Sequence, residues 1–565
     1  MTELVFVAPD NALWEQDGVH FPRPVTRFLQ DVFPDGFIRG FQSGTACYGL
    51  LLDHLRPAFL HGFFFSRAVM VGVPEDAVGP PPREAIEALC TNHPAVRERL
   101  RTAATVFDEK PWHAHLQHWD EVLKPTSRAR NLALQSQDLA PLSDAALAAH
   151  LVECFENAKA MVYQHHIYTV SCIIPVGDFL ASAAAWTGLP TTELMPLLRG
   201  STPISSGITD EYLAAVRAIA GDAAATALLR GGGSPSEVLT RVRSLPAPTG
   251  PAVAAYLDLA SHRVIGGYDI TSRTAIELPE LLVHALQSGP DLEAAARVQR
   301  DVEERTARVR AAVPEPHRPA FDERLAEARL VNRLRDERAY YSDLWGSGIA
   351  RRAWLEAGRR LFARGALEAI DHVLDAGADE VVALLTGAGS VPPPDAAELA
   401  ARHAYRASVP GDIVPPFLNG PPTPPPPLEW FPASARRALA ALGMAMSQVR
   451  SPSPPSSGGA VVRGIPVSAG IYEGRARVVL DSEGLASVRK GEVLVARSTS
   501  TAFNYVLPLV GAVVTDRGGL MSHAAIVARE YGLPGVVGCE VATKVIPDGA
   551  RVRVDAGLGE VTLLS

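Results

Sequence analysis

Residues 451–460, SPSPPSSGGA, show no apolar periodicity and separate two segments of different texture. Runs of proline favour stiff extended chain, and the Ser/Gly end adds joints, so the tract reads as a semi-rigid linker rather than a surface loop. A second proline-rich shift lies at 409–432. A chain of 565 residues is also too long for one ordinary core. The expected fold class is α+β multidomain. A large, mainly helical body occupies 1–450, with a subdomain break near 240–315, then the linker 451–460, then a smaller domain over 461–565.

The two textures carry that division. Before 451, segments such as DAALAAHLVECFENAKAMVYQHH and FDERLAEARLVNRLRDERAYY place apolar residues three and four apart, the spacing of one helix face. After 461, short Val/Ile-rich runs (RARVVL, EVLVAR, GAVVTD, GVVG, RVRVDAG) are separated by Gly and Asp and read as strands. Between two of them, SHAAIVAREYGLP opens on Ser and closes on Gly-Leu-Pro, a helix with both stops.

Composition narrows the function classes. The formal net charge is -9, with no Lys/Arg block to follow a phosphate backbone, so nucleic acid is not an expected partner. Five scattered cysteines, Cys47, Cys90, Cys154, Cys172 and Cys539, form no C-x-x-C, which argues against a disulfide framework or zinc site and fits a reducing cytoplasm. The acidic N-terminal stretch lacks the basic start of a signal peptide. The apolar stretches 59–73 and 161–185 are interrupted by polar or charged residues, so no membrane span is expected and the chain is placed in the cytoplasm.

The segment 513–538 carries the chemistry. A buried strand runs into Gly518 and Gly519, Ser522 is the expected N-cap, and His523 falls in the first helical turn. Free N–H groups and the positive end of the helix dipole favour an anion there. A neutral imidazole is nucleophilic near pH 7, and the P–N bond it forms is readily broken by an acceptor oxygen. His523 is therefore the expected phosphoryl carrier, supported by Ser522, Gly518 and Gly519.

These residues also carry a resemblance. Gly464-Ile-Pro-Val-Ser-Ala-Gly470, Glu473-Gly-Arg-Ala-Arg-Val478, Thr515-Asp-Arg-Gly-Gly519, Ser522 to Glu530, Gly532-Leu-Pro534, Asp548-Gly549 and Val554-Asp555 together resemble the mobile domain of the phosphoenolpyruvate-utilising enzymes. That family includes pyruvate phosphate dikinase, phosphoenolpyruvate synthase and rifampicin phosphotransferase. The resemblance implies a β/β/α phosphohistidine swivelling domain over 461–565, with His523 phosphorylated. Met521 stands where dikinases usually have a regulatory threonine, so that control is expected to be missing. No segment resembles an ATP-grasp module, and the tract 231–234, GGGS, is a loop without the Gly-Lys-Ser/Thr of a phosphate cradle. The ten residues after Asp555 leave no room for a pyruvate-handling barrel.

The body more faintly resembles the substrate region of rifampicin phosphotransferase-like proteins, through 14–24, 335–340 and 350–359. Two-component phenylphosphate and cresol-phosphorylating synthases divide along the same line. The resemblance implies that ATP and Mg²⁺ bind mainly to a separate ATP-grasp subunit and that no metal site lies here. The acceptor would be a small hydroxylated molecule, and a phenol suits an apolar pocket because its ring buries well and its hydroxyl, with pKa about 10, needs only modest help to ionise. Acceptor-side candidates are His20, Arg23, His165, His166, Arg335 and Arg338, with Arg351 and Arg352 as further cations; for each, a solvated face or satisfied core residue is the alternative. His113, His115 and His118 read as surface. The apolar run FLHGFFFSRAVMV lines an acceptor pocket or is plain core. Rival readings are phosphorylation of an antibiotic or other secondary-metabolite hydroxyl, and a non-catalytic binding protein that kept the swivel fold.

Overall fold

The computed structural model describes all residues except 1–3, 76, 290–291, 389–390, 450–460, 481–483, 500–502, 505 and 565. The expected linker at 451–460 lies outside the described residues. The chain forms two compact units, each assembled from separated stretches. One comprises Met1–Ser171, Gly267–Ser272 and Tyr341–Ala440; the other comprises Cys172–Gly266, Arg273–Tyr340 and Ala441–Ser565.

The first unit is built on two long helices, Arg27–Cys47 and Asp144–Ile167. Gly36 and Gly40 stand one turn apart where these helices meet. A Cβ on Gly36 would lie 2.6 Å from the Tyr163 nitrogen, and one on Gly40 would lie 2.5 Å from His166 Cβ, so the pair can approach this closely only with glycine there. The unit also holds a four-stranded antiparallel sheet that the helical pattern did not foretell. β1 (Trp14–Gln16), β2 (Leu52–Leu60), β3 (Phe63–Met70) and β4 (Phe417–Leu418) take the order β2-β3-β1-β4. The run FLHGFFFSRAVMV is the β2–β3 hairpin, with Phe59 opposite Phe64 and Leu60 opposite Phe63. Strand alternation then divides its aromatics: Phe63 and Phe65 join Trp14 in the core beneath the sheet, while Phe64 points to the other face.

The helical stretch Asp144–Thr187 is long and apolar enough to cross a membrane by length and composition, contrary to expectation from the scattered polar residues. Its apolar window is 72% buried, as in the core helix of a folded body.

The second unit contains an eight-stranded sheet in the order β5-β12-β11-β7-β8-β9-β10-β6. Its strands are β5 (Val461–Arg463), β6 (Ile465–Ser468), β7 (Ile471–Val479), β8 (Val493–Ala496), β9 (Ala512–Thr515), β10 (Gly535–Val537), β11 (Arg551–Asp555) and β12 (Glu560–Leu563). All five valine-rich runs read as strands are strands. β7, β8, β9 and β10 pair in parallel, and β8 and β9 are buried along their whole length, as parallel strands covered on both faces must be. The helix His523–Tyr531 is the crossover from β9 to β10. Parallel pairing sets the carboxyl ends of β8 and β9 on one edge, and the loops leaving that edge meet.

Candidate functional site

The loop after β9 is shaped for one purpose, to start a helix at His523. Gly518 takes φ +120°, and a Cβ there would lie 2.7 Å from Ser522 Oγ, so only glycine fits. The Gly519 carbonyl accepts from Ser522 N at 3.0 Å. Ser522 is the N-cap, its Oγ accepting from Ala525 N at 3.4 Å. Arg529, two turns along the helix, reaches back to donate to the Leu520 carbonyl at 2.7 Å and closes the loop.

His523 Nδ1 lies 2.9 Å from Thr499 Oγ1, on the loop leaving β8. His523 Nε2 is buried and has no hydrogen-bond partner among the described residues. Burial pushes the imidazole pKa down to about 4, opposed by the Asp336 carboxylate and reinforced by Arg335. The ring is thus neutral at physiological pH. If Nδ1–H donates to Thr499, Nε2 keeps its lone pair, the state a nucleophile requires.

Asp336 and Arg335 come from the helix Leu334–Tyr341 of the same unit. Asp336 is buried and accepts from Ser205 Oγ. Arg335 is half-buried and lines a small cavity with Arg199, Asn332, Met521, Arg529 and Glu530. Burial, with Arg335 and Arg199 nearby, holds Arg529 down at about 9, Glu530 opposing. Glu530 accepts from Gly200 N at 2.7 Å and Thr202 Oγ1 at 3.1 Å, and burial raises its carboxyl above the usual range. Arg338 does not share this position. It is buried, donating to the Leu334 carbonyl at 3.0 Å and Cys172 Sγ at 3.5 Å.

The remaining acceptor-side candidates fall in the first unit. His165, in the last turn of its helix, places Nδ1 2.9 Å from a carboxylate oxygen of Asp343, the first residue of the helix Asp343–Ala363. His166 is buried, its Nδ1 2.8 Å from the Val162 carbonyl, and its ring lies 4.6 Å from that of His165. Tyr268 meets His165 edge-on at 6.2 Å and lies 5.9 Å from His20. His20 is exposed and paired with Asp17 at 2.7 Å. Burial would raise the Asp17 carboxyl, yet the charge and hydrogen bonds of His20 hold it below the usual range. Phe64 completes the surroundings, packing on Phe21, Phe33 and Phe37, and the last two meet the His166 ring edge-on.

Arg23 is exposed and joins none of these groups in a described contact. Arg351 and Arg352 serve the backbone instead: Arg351 donates to the Ile270 carbonyl at 2.8 Å and Arg352 to that of Gln137 at 2.5 Å. Arg351 thereby braces the loop that carries Tyr268. The histidine trio at 113–118 is not uniformly surface. His113 is exposed, but His115 is half-buried against Tyr168 with Nδ1 2.8 Å from Ser171 Oγ, and burial lowers its pKa; His118 Nδ1 lies 2.6 Å from Tyr168 Oη. Residues three apart on a helix share a face, which puts His115 and His118 on Tyr168 together.

Sequence inspection missed Thr499, Asp343, Tyr268 and Ser205. Asp336 sits inside the quoted 335–340 stretch, and its carboxyl was a legible signal. Thr499 offered only its place just beyond a buried strand end, where ligand-facing loops gather.

The comparisons bear on the C-terminal segment most directly. Rifampicin phosphotransferase of Bacillus cereus is 48% identical over 101 residues, 18% of this chain and 12% of that protein; its Bacillus subtilis counterpart is 47% identical over 105 residues, 19% of this chain and 12% of that one. An uncharacterised Mycobacterium bovis protein is 31% identical over 315 residues, 55% of this chain and 31% of its own length. The chain thus spans under a third of each of these relatives. Residues 488–559, with His523 among them, match the family described as PEP-utilising enzyme, mobile domain.

Proposed function

We propose that this chain is a phosphotransferase subunit in which His523 Nε2 carries a phosphoryl group from a nucleotide-charging module to a small, phenolic hydroxyl acceptor such as 4-cresol or phenol. The observation that carries this reading is the state of the ring: neutral, fixed at Nδ1 by Thr499, and with Nε2 unpartnered at a capped helix start. In the charging step Nε2 attacks the β-phosphorus and AMP leaves; water then cleaves off the outer phosphate, so that one phosphoryl group stays on Nε2. In the discharging step the acceptor oxygen attacks, the P–N bond breaks, and its electron pair returns to the imidazole. Helix N–H groups and the guanidinium of Arg335 supply positive charge for the moving group.

Among the described residues no group of three or more His, Cys, Asp or Glu is arranged to hold a metal ion. No step here is routed through Mg²⁺. ATP and Mg²⁺ belong in this reading to a separate ATP-grasp subunit, with the overall reaction ATP + acceptor-OH + H₂O giving phospho-acceptor, AMP and phosphate. The division into an acceptor-binding region, a linker at 451–460 and a carrier domain at 461–565 is part of the same proposal, as is a cytoplasmic location. A second reading, transfer to an antibiotic hydroxyl, draws on the names of the Bacillus relatives, but their match covers the carrier segment and not the first unit.

The test is to mix the chain with a candidate ATP-grasp partner, Mg²⁺ and β-³²P-labelled ATP. Acid-labile label on the wild type and none on His523→Ala supports the carrier. Label on both proteins, or on neither with every partner tried, overturns it.

A further inference from the structure

The small cavity beside the carrier helix is walled by Arg199, Asn332, Arg335, Arg529 and Glu530, and every residue that lines it belongs to the second unit. Its interior has room for about one water-sized group, so a single oxygen fits where an organic body does not.

Two of its guanidiniums bury donors that nothing meets. Arg529 is 4% exposed; its Nη2 donates to the Leu520 carbonyl at 2.7 Å, while Nη1 is buried with no hydrogen-bond partner among the described residues. Arg199 Nη1 pairs with Asp301 at 2.7 Å, and its Nε is buried and likewise unmatched. A buried N–H left unpaired costs free energy, and a guanidinium can only donate, so each calls for an acceptor. The carboxylate in the wall is engaged elsewhere: Glu530 accepts from Gly200 N through Oε2 and from Thr202 Oγ1 through Oε1.

Charge decides what kind of acceptor fits. Three guanidiniums and one carboxylate surround the space, and the Asp301 that meets Arg199 is itself exposed. Burial lowers the pKa of Arg199 and Arg529 alike, and an anion beside them offsets that cost. A neutral water would satisfy the donors and leave the surplus charge uncompensated. Position narrows the class of anion. Ile526 and Glu530 follow His523 by three and seven residues, so the cavity lies along the helix face that begins with His523. Met521, on the loop that starts this helix, forms part of the wall, and the charge of Arg335 acts on the His523 ring.

We propose that the cavity is an oxyanion seat: one oxygen of a phosphate-class anion enters it and accepts from Arg529 Nη1 and Arg199 Nε, with Arg335 adding charge. The anion is either the phosphoryl group carried on His523, which rests on the carrier reading given above, or free inorganic phosphate, which does not.

The test is calorimetric titration of the full chain with inorganic phosphate at constant ionic strength, repeated after chemical phosphorylation of His523 with phosphoramidate. Phosphate should bind at one site, and Arg199→Gln should weaken it about tenfold or more. Arg310→Gln, which removes the same charge from an exposed pair with Asp322, should leave it unchanged. In the phosphorylated chain, Arg199→Gln should shift the phosphohistidine ³¹P resonance. Phosphate binding that disappears once His523 is phosphorylated assigns the seat to the carried group; binding that persists assigns it to the free anion. Loss of equal size in both variants overturns the seat, as does a folded wild type that binds no phosphate and whose phosphohistidine resonance Arg199→Gln does not move; one ordered water is then the occupant. A chain that takes no label on His523 but binds phosphate through Arg199 overturns the carrier and keeps the seat.

Discussion

Thr499 Oγ1 stands 2.9 Å from Nδ1 of His523, joining two loops that are 24 residues apart in sequence but leave adjacent parallel strands on the same edge. This contact occupies Nδ1 and leaves Nε2 as the ring nitrogen without a hydrogen-bond partner among the described residues.

Replacing that hydroxyl should therefore change where the phosphoryl group goes as well as how fast. Thr499→Val should charge about tenfold more slowly and yield a mixture of ring isomers, distinguishable by ³¹P NMR, while Thr499→Ser should retain the Nε2 product. A Thr499→Val chain that charges at the wild-type rate, on Nε2 alone, would dismiss the tautomer argument.

The depressed pKa of His523 has a thermodynamic side. Its folded value, about 4, lies below the ordinary 6.5, so between these values the unfolded chain binds more protons. The contribution to stability is complete above pH ~6.5 and is lost as pH falls toward 4. Denaturant unfolding of wild type and His523→Gln should show a wild-type-specific loss on the order of 3 kcal/mol across that window. Parallel curves would mean that the ring is not desolvated as described.

The loop glycine and the cap should separate under mutation. Ser522→Ala removes one capping acceptor and should cost about 1 kcal/mol. Gly518→Ala forces a side chain into φ +120° with its Cβ 2.7 Å from Ser522 Oγ, and should cost about 1–3 kcal/mol and abolish charging. Chemical denaturation together with a labelling assay reads both. A stable, fully active Gly518→Ala protein would refute the turn geometry.

Arg335 and Arg338 are three residues apart yet should fail differently. Arg335→Ala should slow phosphoryl transfer by about a hundredfold with little loss of stability. Arg338→Ala leaves the Cys172 and Leu334 contacts unmade in the interior and should destabilise by about 2–4 kcal/mol. Transfer kinetics and unfolding midpoints on the same two proteins decide the matter.

What could be read from sequence was local. Strand, Gly-Gly turn, Ser cap and His form one continuous stretch, and each residue acts on a near neighbour, so the pattern spelled out the geometry. The sheet of the first unit was not legible, because β1 and β4 are only three and two residues long and show no period. Its strand β3 opens on three consecutive buried aromatics, FFF, which mask the alternation that follows. The partners Asp343 and Tyr268 come to His165 through tertiary packing alone: nothing near them in sequence marks a helix N-terminus and a braced loop as the two sides of one imidazole.

His523 Nε2 has no exposed surface. A phosphorus and three oxygens cannot be added to such an atom without displacing what covers it. Loading the ring therefore requires the groups packed around it to move aside locally.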